Sequence, residues 1–209
     1  MLRQLRHPNI ISLIGFCLDK KERILVYENM SNRSLQQRQQ TLSWKKRLDI
    51  CIGAALGLHY LHAGLKRTII HRYIRPGNIL LDDNMIPRLS EFRFCVLGAH
   101  FMSKPKPIQV EGPIVVQEKR FSTRYEGQIN VEENIDENIK GKIAPQCWQV
   151  FMDITQRCIK IEPDERPTMS EVEVELEHAL SLQEQVDISN TDGHYILLSE
   201  TIVDRRFVA

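Results

Sequence analysis

Between residues 69 and 94 the chain reads I-I-H-R-Y-I-R-P-G-N-I-L-L-D-D-N-M-I-P-R-L-S-E-F-R-F, and six of its polar side chains bear on chemistry: His71, Arg72, Tyr73, Arg75, Asn78 and Glu91. Tyr73 offers a phenol, and with an ordinary pKa of about 10 it stays protonated near neutrality and cannot serve as a general base. Arg72 and Arg75 are permanent cations, Glu91 supplies a carboxylate and Asn78 an amide. Apolar runs at residues 79–81 and 85–89 flank Asp82, Asp83 and Asn84, which predicts a short hairpin with polar groups at its ends.

Several other elements must position that hairpin. Residues 10–18 and 23–28 read as two short strands joined by a charged turn, the first of them as a buried strand. Over residues 43–63, Trp44, Leu48, Ile52, Ala55, Leu58 and Leu61 recur at intervals of three and four, so a helix is expected with Ser43 as N-cap and Gly64 as its stop. His59 and His62 fall within that stripe and read as core or rim histidines rather than ligands. The Pro- and Gly-rich segment after Phe94 has no period and reads as a loop. Cys147, Val150, Phe151, Ile154 and Cys158 share one helical face, and a further helix opens after Pro167 with Thr168 and Glu171 spaced as a capping box.

Composition excludes several classes. A chain of 209 residues, 42% hydrophobic and 26% charged, is long enough for one sizeable core, so a single soluble domain is expected. A formal net charge of +1 gives no reason to expect nucleic acid or an acidic membrane surface as partner. No apolar stretch reaches the length of a membrane span. The five cysteines are odd in number and lack C-x-x-C, which argues for reduced cytosolic thiols rather than a disulfide framework or zinc site.

His71, Arg72, Tyr73 and Asn78, followed by Glu91, Phe92 and Arg93, stand at the spacing of H-R-D-x-x-x-x-N and D-F-G, and the stretch resembles the catalytic and metal-binding loops of eukaryotic protein kinases. Around it, L-R-H-P-N-I-I-S-L-I-G-F-C and I-L-V-Y-E-N-M-S-N-R-S-L resemble the strand pair and hinge of plant receptor-like kinases. The wording K-G-K-I-A-P-Q-C, with E-P-D-E-R-P-T-M-S-E-V and the ending L-E-H-A-L-S-L-Q-E, is similar to the FERONIA-like, malectin-domain group of those kinases. The likeness covers residues 1–112 and 131–186.

This resemblance implies an α+β fold: a mainly helical C-terminal lobe of the protein-kinase type with a remnant two-strand piece of the N-terminal lobe. It implies a partial kinase-like domain over residues 1–186, with strands and hinge in 1–30, an incomplete C-lobe in 31–186, and a tail at 187–209. Tyr27 takes the gatekeeper position, and the backbones of Glu28 and Met30 would face the adenine of ATP. Asn78 and Glu91 would be the metal ligands for Mg²⁺, while Arg72 would receive an activation-segment phosphate, with Ser103 as a candidate donor. Arg75 takes the place of a phosphate-contacting Lys.

Several departures are equally specific. Tyr73 replaces the base Asp, the loss of which typically costs roughly 10²–10⁴ in rate. Glu91 adds a methylene where Mg²⁺ demands near-ideal geometry, and Arg93 replaces a Gly. Between residues 114 and 129 the sequence shows none of G-T-x-G-Y, A-P-E or the D-V-x-S-F-G helix, so Arg166 lacks its A-P-E glutamate. No G-x-G-x-x-G occurs, and the chain is expected to begin beyond the phosphate loop and its strand lysine. The expected role is a catalytically inactive pseudokinase fragment, binding proteins such as full-length receptor-like kinases in the cytoplasm or, through them, at the inner face of the plasma membrane. The alternatives are a weak ATP-dependent serine/threonine protein kinase and a truncated product that does not fold.

Overall fold

The computed structural model describes residues 4–19, 22–37, 41–100, 135–160 and 162–189. Ser103, the segment that follows it to residue 134 and the tail from residue 190 lie outside them. The chain divides into two compact units, one of residues 1–40 and 53–106, the other of residues 41–52 and 107–209. Among the described residues a few short strands and three α-helices make up an α+β architecture, as expected.

In the first unit, β1 (Leu13–Leu18) and β2 (Arg23–Tyr27) form an antiparallel pair, with a bulge between Leu13 and Gly15. The hairpin forms as its pattern predicts, but two expectations fail. The first strand starts at Leu13, because Ile10 instead bridges in parallel to Leu89. Nor is it buried: Ile14 is 69% exposed and Leu18 70%, and Ile24, Leu25 and Val26 on β2 are also exposed. Apolar side chains on both faces of a two-stranded ribbon have no second layer to cover them among the described residues.

The segment before β1 instead fastens the site hairpin. β4 (Ile79–Leu81) and β5 (Pro87–Leu89) pair antiparallel through Ile79–Leu89, Leu80–Arg88 and Leu81–Pro87. Asn9 accepts the Leu89 N–H through its carbonyl at 2.9 Å and donates its side-chain amide to the Pro87 carbonyl at 3.0 Å, while the Ile11 N–H donates to Leu89 O at 3.0 Å. At the tip, Asp82 Oδ1 accepts the N–H groups of Asn84 and Ile86. Burial pushes the Asp82 carboxyl up, but the Ile86 N–H, the Arg88 guanidinium and the Asn84 N–H together hold it below its ordinary value.

Helix α1 (Trp44–Ala63) fills the predicted span, with Ser43 Oγ accepting the Lys46 N–H at 3.3 Å as the N-cap. From Gly53 onward it belongs to the first unit. Gly57 brings it close to the hairpin, since a Cβ there would stand 2.8 Å from Asn9 O and 3.0 Å from Leu89 Cδ1. Leu61 joins Leu5, Ile10, Ile11, Ile69, Leu89 and Phe92 in the core. Both stripe histidines are half-buried, and burial, with His59 nearby, pushes the His62 imidazole down.

The stretch after Phe94 is not wholly a loop. Val96–His100 forms a strand, β6, that pairs antiparallel with β3 (Arg67–Ile70), an element the sequence pattern did not single out. β-branched Thr68, Ile69, Ile70 and Val96 favour the pairing, and cross-strand contact outweighs the missing period.

In the second unit, α2 (Pro145–Cys158) starts with proline in its first turn, and α3 (Met169–Ser189) opens on the predicted capping box. There Glu171 N–H donates to Thr168 Oγ1, and Thr168 N–H donates to the Glu171 carboxylate at 2.7 Å. The helix passes the expected tail boundary at residue 187 and ends at Ser189. Cys147 and Ile154 are buried as expected, but Cys158, at the helix's last turn, is exposed. Trp44 packs edge-on against Phe151 at 4.9 Å and donates its indole N–H to Cys147 Sγ, whose thiol burial pushes up to about 11. Arg166 donates through Nε to the Lys160 carbonyl at 2.6 Å. Buried Gln183 accepts the Ala144 N–H and donates to Lys142 O, tying α3 to the chain entering α2.

The close approach at Gly57 sets a test. Gly57→Ala is expected to destabilise the protein by about 1–3 kcal/mol in urea unfolding, because backbone and a packed leucine must shift. Gly15→Ala, with nothing within 4 Å of the new Cβ, is expected to change stability by less than about 0.5 kcal/mol.

Candidate functional site

The site is built where β3 and β5 run into the two loops that follow them. His71 directly follows β3 and is 1% exposed. Its Nε2 lies 2.9 Å from Ser90 O, which can only accept, and its Nδ1 lies 3.2 Å from the Tyr73 backbone N–H, which can only donate. The imidazole is therefore the neutral Nε2–H tautomer. Burial pushes its pKa down, against the opposing pull of the Ser90 carbonyl and Glu91. The ring also packs on Phe92, with centroids 5.0 Å apart.

Ser90 closes a second link. Its N–H and its hydroxyl both donate to Asn78 O, at 2.9 and 3.0 Å, while its own carbonyl accepts from His71. Asn78 ends a 3₁₀ turn, Pro76–Asn78, and its side-chain amide donates to Tyr73 O at 2.7 Å. Three short segments are thus locked by one small buried hydroxyl residue that sequence reasoning passed over. The only signal was a polar residue closing the apolar run of β5.

Tyr73 stands where the resemblance would place a base. Its hydroxyl accepts from Arg75 Nη1 at 3.1 Å, and its ring meets Phe94 edge-on at 4.9 Å. Arg75 also lies over the Tyr73 ring, 5.6 Å from its centroid, and donates to Gln36 Oε1 at 2.9 Å. Gly77 makes this possible, since a Cβ there would stand 2.7 Å from Gln36 Oε1 and 3.2 Å from Arg75 Nε and Nη2. Neither Gln36, from a distant loop, nor the packing role of Gly77 carried a sequence signal.

Left-handed backbone occurs at Arg72 and Glu91, both with φ of 66°, and not at Arg93 where the family has its Gly. The Glu91 carboxylate forms an ion pair with Arg93. Tyr27 is drawn to the same place: burial, then the Glu91 carboxylate, push its phenol up, against the influence of Arg93. Tyr27 and Met30 pack on the core cluster that contains Phe92. At the hinge, Glu28 N–H donates to Ser12 O, its carboxylate accepts from Ser12 N–H at 2.7 Å and from Arg88 at 3.3 Å, and Met30 O accepts the Arg33 N–H. The structure therefore gathers Tyr27, His71, Tyr73, Arg75, Asn78 and Glu91 into one neighbourhood, and Arg88, which carried no sequence signal, joins Glu28 to Asp82.

The fit to Mg²⁺ is poor. Six near-octahedral oxygens are wanted, whereas the Glu91 charge is matched by Arg93 and the Asn78 amide is held within the loop. Among the described residues, no group of three or more His, Cys, Asp or Glu side chains is placed to hold a metal ion.

Comparison with known proteins gives the family. Residues 1–106 match the family of protein tyrosine and serine/threonine kinases. The chain belongs to that protein kinase family. Its relatives include the receptor-like protein kinases ANXUR2 and FERONIA of Arabidopsis thaliana, 33% and 32% identical over 90% of this chain. It spans about a quarter of their length, 27% and 26%. The aligned stretch of 235 residues exceeds this chain's 209, so those relatives carry residues within it that have no counterpart here. Among solved structures, the pseudokinase domain of BIR2, an immune regulator of the RLK/Pelle family, aligns with a TM-score of 0.66 at 26% identity, covering 92% of this chain and 73% of that one.

The tautomer of His71 makes stability pH-dependent. Its folded-state pKa lies below the unfolded value of about 6.5, so folding excludes a proton and the His71 contribution is lost as pH falls below about 6.5. Thermal melts are expected to show a midpoint that drops from pH 7 to pH 5. In His71→Asn, which is less stable throughout, that part of the drop is expected to disappear.

Proposed function

We propose that the chain is a non-catalytic receptor-like-kinase domain, a binding module or decoy in the pathway of its complete relatives. One observation carries the reading: the position of the base is taken by a phenol whose hydroxyl is engaged by Arg75. Phosphoryl transfer rests on positioning and on electrostatic stabilisation, and here the carboxylate left to hold a metal is paired with Arg93. The likeness to the BIR2 pseudokinase domain supports the same reading.

On this reading Tyr27, Glu28 and Met30 are the remnant of an adenine hinge, and Asn78 and Glu91 the remnant of a metal pair. His71 and Arg72 position the loops rather than act on substrate. The partners are proteins, full-length receptor-like kinases among them, met at the cytoplasmic face of the plasma membrane. Among the described residues no helix is long and apolar enough to cross a membrane.

Radiolabel transfer from Mg²⁺-ATP to a generic serine/threonine substrate tests the reading. The wild type is expected to match the protein-free background, and Tyr73→Asp alone to leave it there, because the Asn78 amide is still held within the loop and the Arg93 charge still stands beside Glu91. Metal-dependent transfer abolished by Asn78→Ala would overturn the proposal.

A further inference from the structure

We infer that the pair of loops around Tyr73 is a receiver for a phosphorylated serine or threonine side chain of a partner protein, with Arg75 and Arg93 taking the phosphate. This rests on the reading that the same loops transfer no phosphate, and it names what they bind instead.

The exchanges in the two motifs change the sign of the site. Its motif residues now carry three guanidiniums, Arg72, Arg75 and Arg93, against the single carboxylate of Glu91. A surface that would need Mg²⁺ to meet a phosphate has its cations covalently built in.

Geometry holds two of these cations around one aromatic pair. Arg75 lies over the Tyr73 ring, Arg93 lies 5.9 Å from the centroid of Phe94, and the two rings meet at 4.9 Å. Arg75 is fixed from behind by Gln36 and Tyr73 over the bare Gly77. It commits one N–H to each of those partners, and Arg93 commits Nη2 to Glu91, out of the five donors each guanidinium carries. A guanidinium fixed as Arg75 is loses little freedom on binding.

Access and surroundings select the ligand. The Arg93 side chain is 71% exposed, so its pairing with Glu91 is a weak surface contact that an incoming dianion can outcompete. Phosphate presents three acceptor oxygens and close to two charges, enough to engage both guanidiniums where a second carboxylate would engage one. Apolar surface is exposed at the site itself: Ile74, between Tyr73 and Arg75, at 41%, and Phe94 at 37%. Half-buried Tyr73 and Arg75 beside exposed Phe94, Arg93 and Ile74 make a protein-binding surface rather than a site for a free anion.

Fluorescence anisotropy with the full chain tests this, using a labelled phosphoserine peptide with leucine flanks and its unphosphorylated twin. The phosphopeptide is expected to bind at least about tenfold more tightly, and Arg93→Gln to lower its affinity about tenfold, the loss of one charge-assisted contact. The Arg93→Gln melting temperature should be unchanged. Gly77→Ala, which displaces Arg75 without removing a charge, should also weaken binding. Equal affinity for the two peptides, no effect of Arg93→Gln, or displacement of the phosphopeptide by an equal concentration of inorganic phosphate or ATP would overturn the inference. Mass spectrometry of the unphosphorylated twin after incubation with Mg²⁺-ATP is a separate readout: a phosphate gained there strikes the non-catalytic reading, while the binding measurements decide this one.

Discussion

The rest of the site depends on the buried His71 imidazole and the Ser90 backbone it grips. One ring nitrogen donates to Ser90 O and the other accepts from Tyr73 N–H, so the ring joins the loop after β3 to the loop after β5. Ser90 passes the connection to Asn78, and Asn78 returns it to Tyr73 O. Every member of this ring of bonds is backbone or a buried neutral side chain. In a low-dielectric interior such a network is stiff when fully satisfied, and it needs no reactive group to persist. That is the physical reason the two loops stay joined whatever groups they display.

What the loops display then follows from charge. A carboxylate at residue 73 would have faced Arg75 as an ion pair; the phenol instead accepts a hydrogen bond and offers its ring as a platform for the same guanidinium. Glu91, in left-handed backbone, turns its carboxylate to Arg93 two residues on. The anionic groups of the motif are thereby removed or neutralised from within, while the arginines remain. A site of this kind favours anions, and it does so without an ion to bring them.

Hairpin β1–β2 shows the opposite balance. Its apolar side chains alternate in and out with nothing among the described residues to receive either set, yet its last residue, Tyr27, is anchored in the core with Phe92. The anchorage comes from one end of the ribbon and from the Asn9–Ile11 segment, not from burial of the strand itself.

Much of the fold was legible because it rests on local pattern. The three-and-four stripe and Ser43 marked α1, Thr168 and Glu171 marked the start of α3, and Asp82–Asn84 between apolar runs marked the hairpin. Strand β6 was not legible, because its evidence is a partner near thirty residues away in the chain, and a ladder has no signature in one strand alone. Of the strand expected to be buried over residues 10–18, the exposure of its 13–18 part was not legible for a like reason: apolar composition states what a strand could bury, not whether a second layer exists. Residue identity by itself determined what Tyr73 can offer, since no environment makes a phenol a carboxylate. Only the tertiary structure decided the rest, because Ser90, Gln36, Gly77 and Arg88 acquire their roles from contacts between segments that are remote in sequence and adjacent in space.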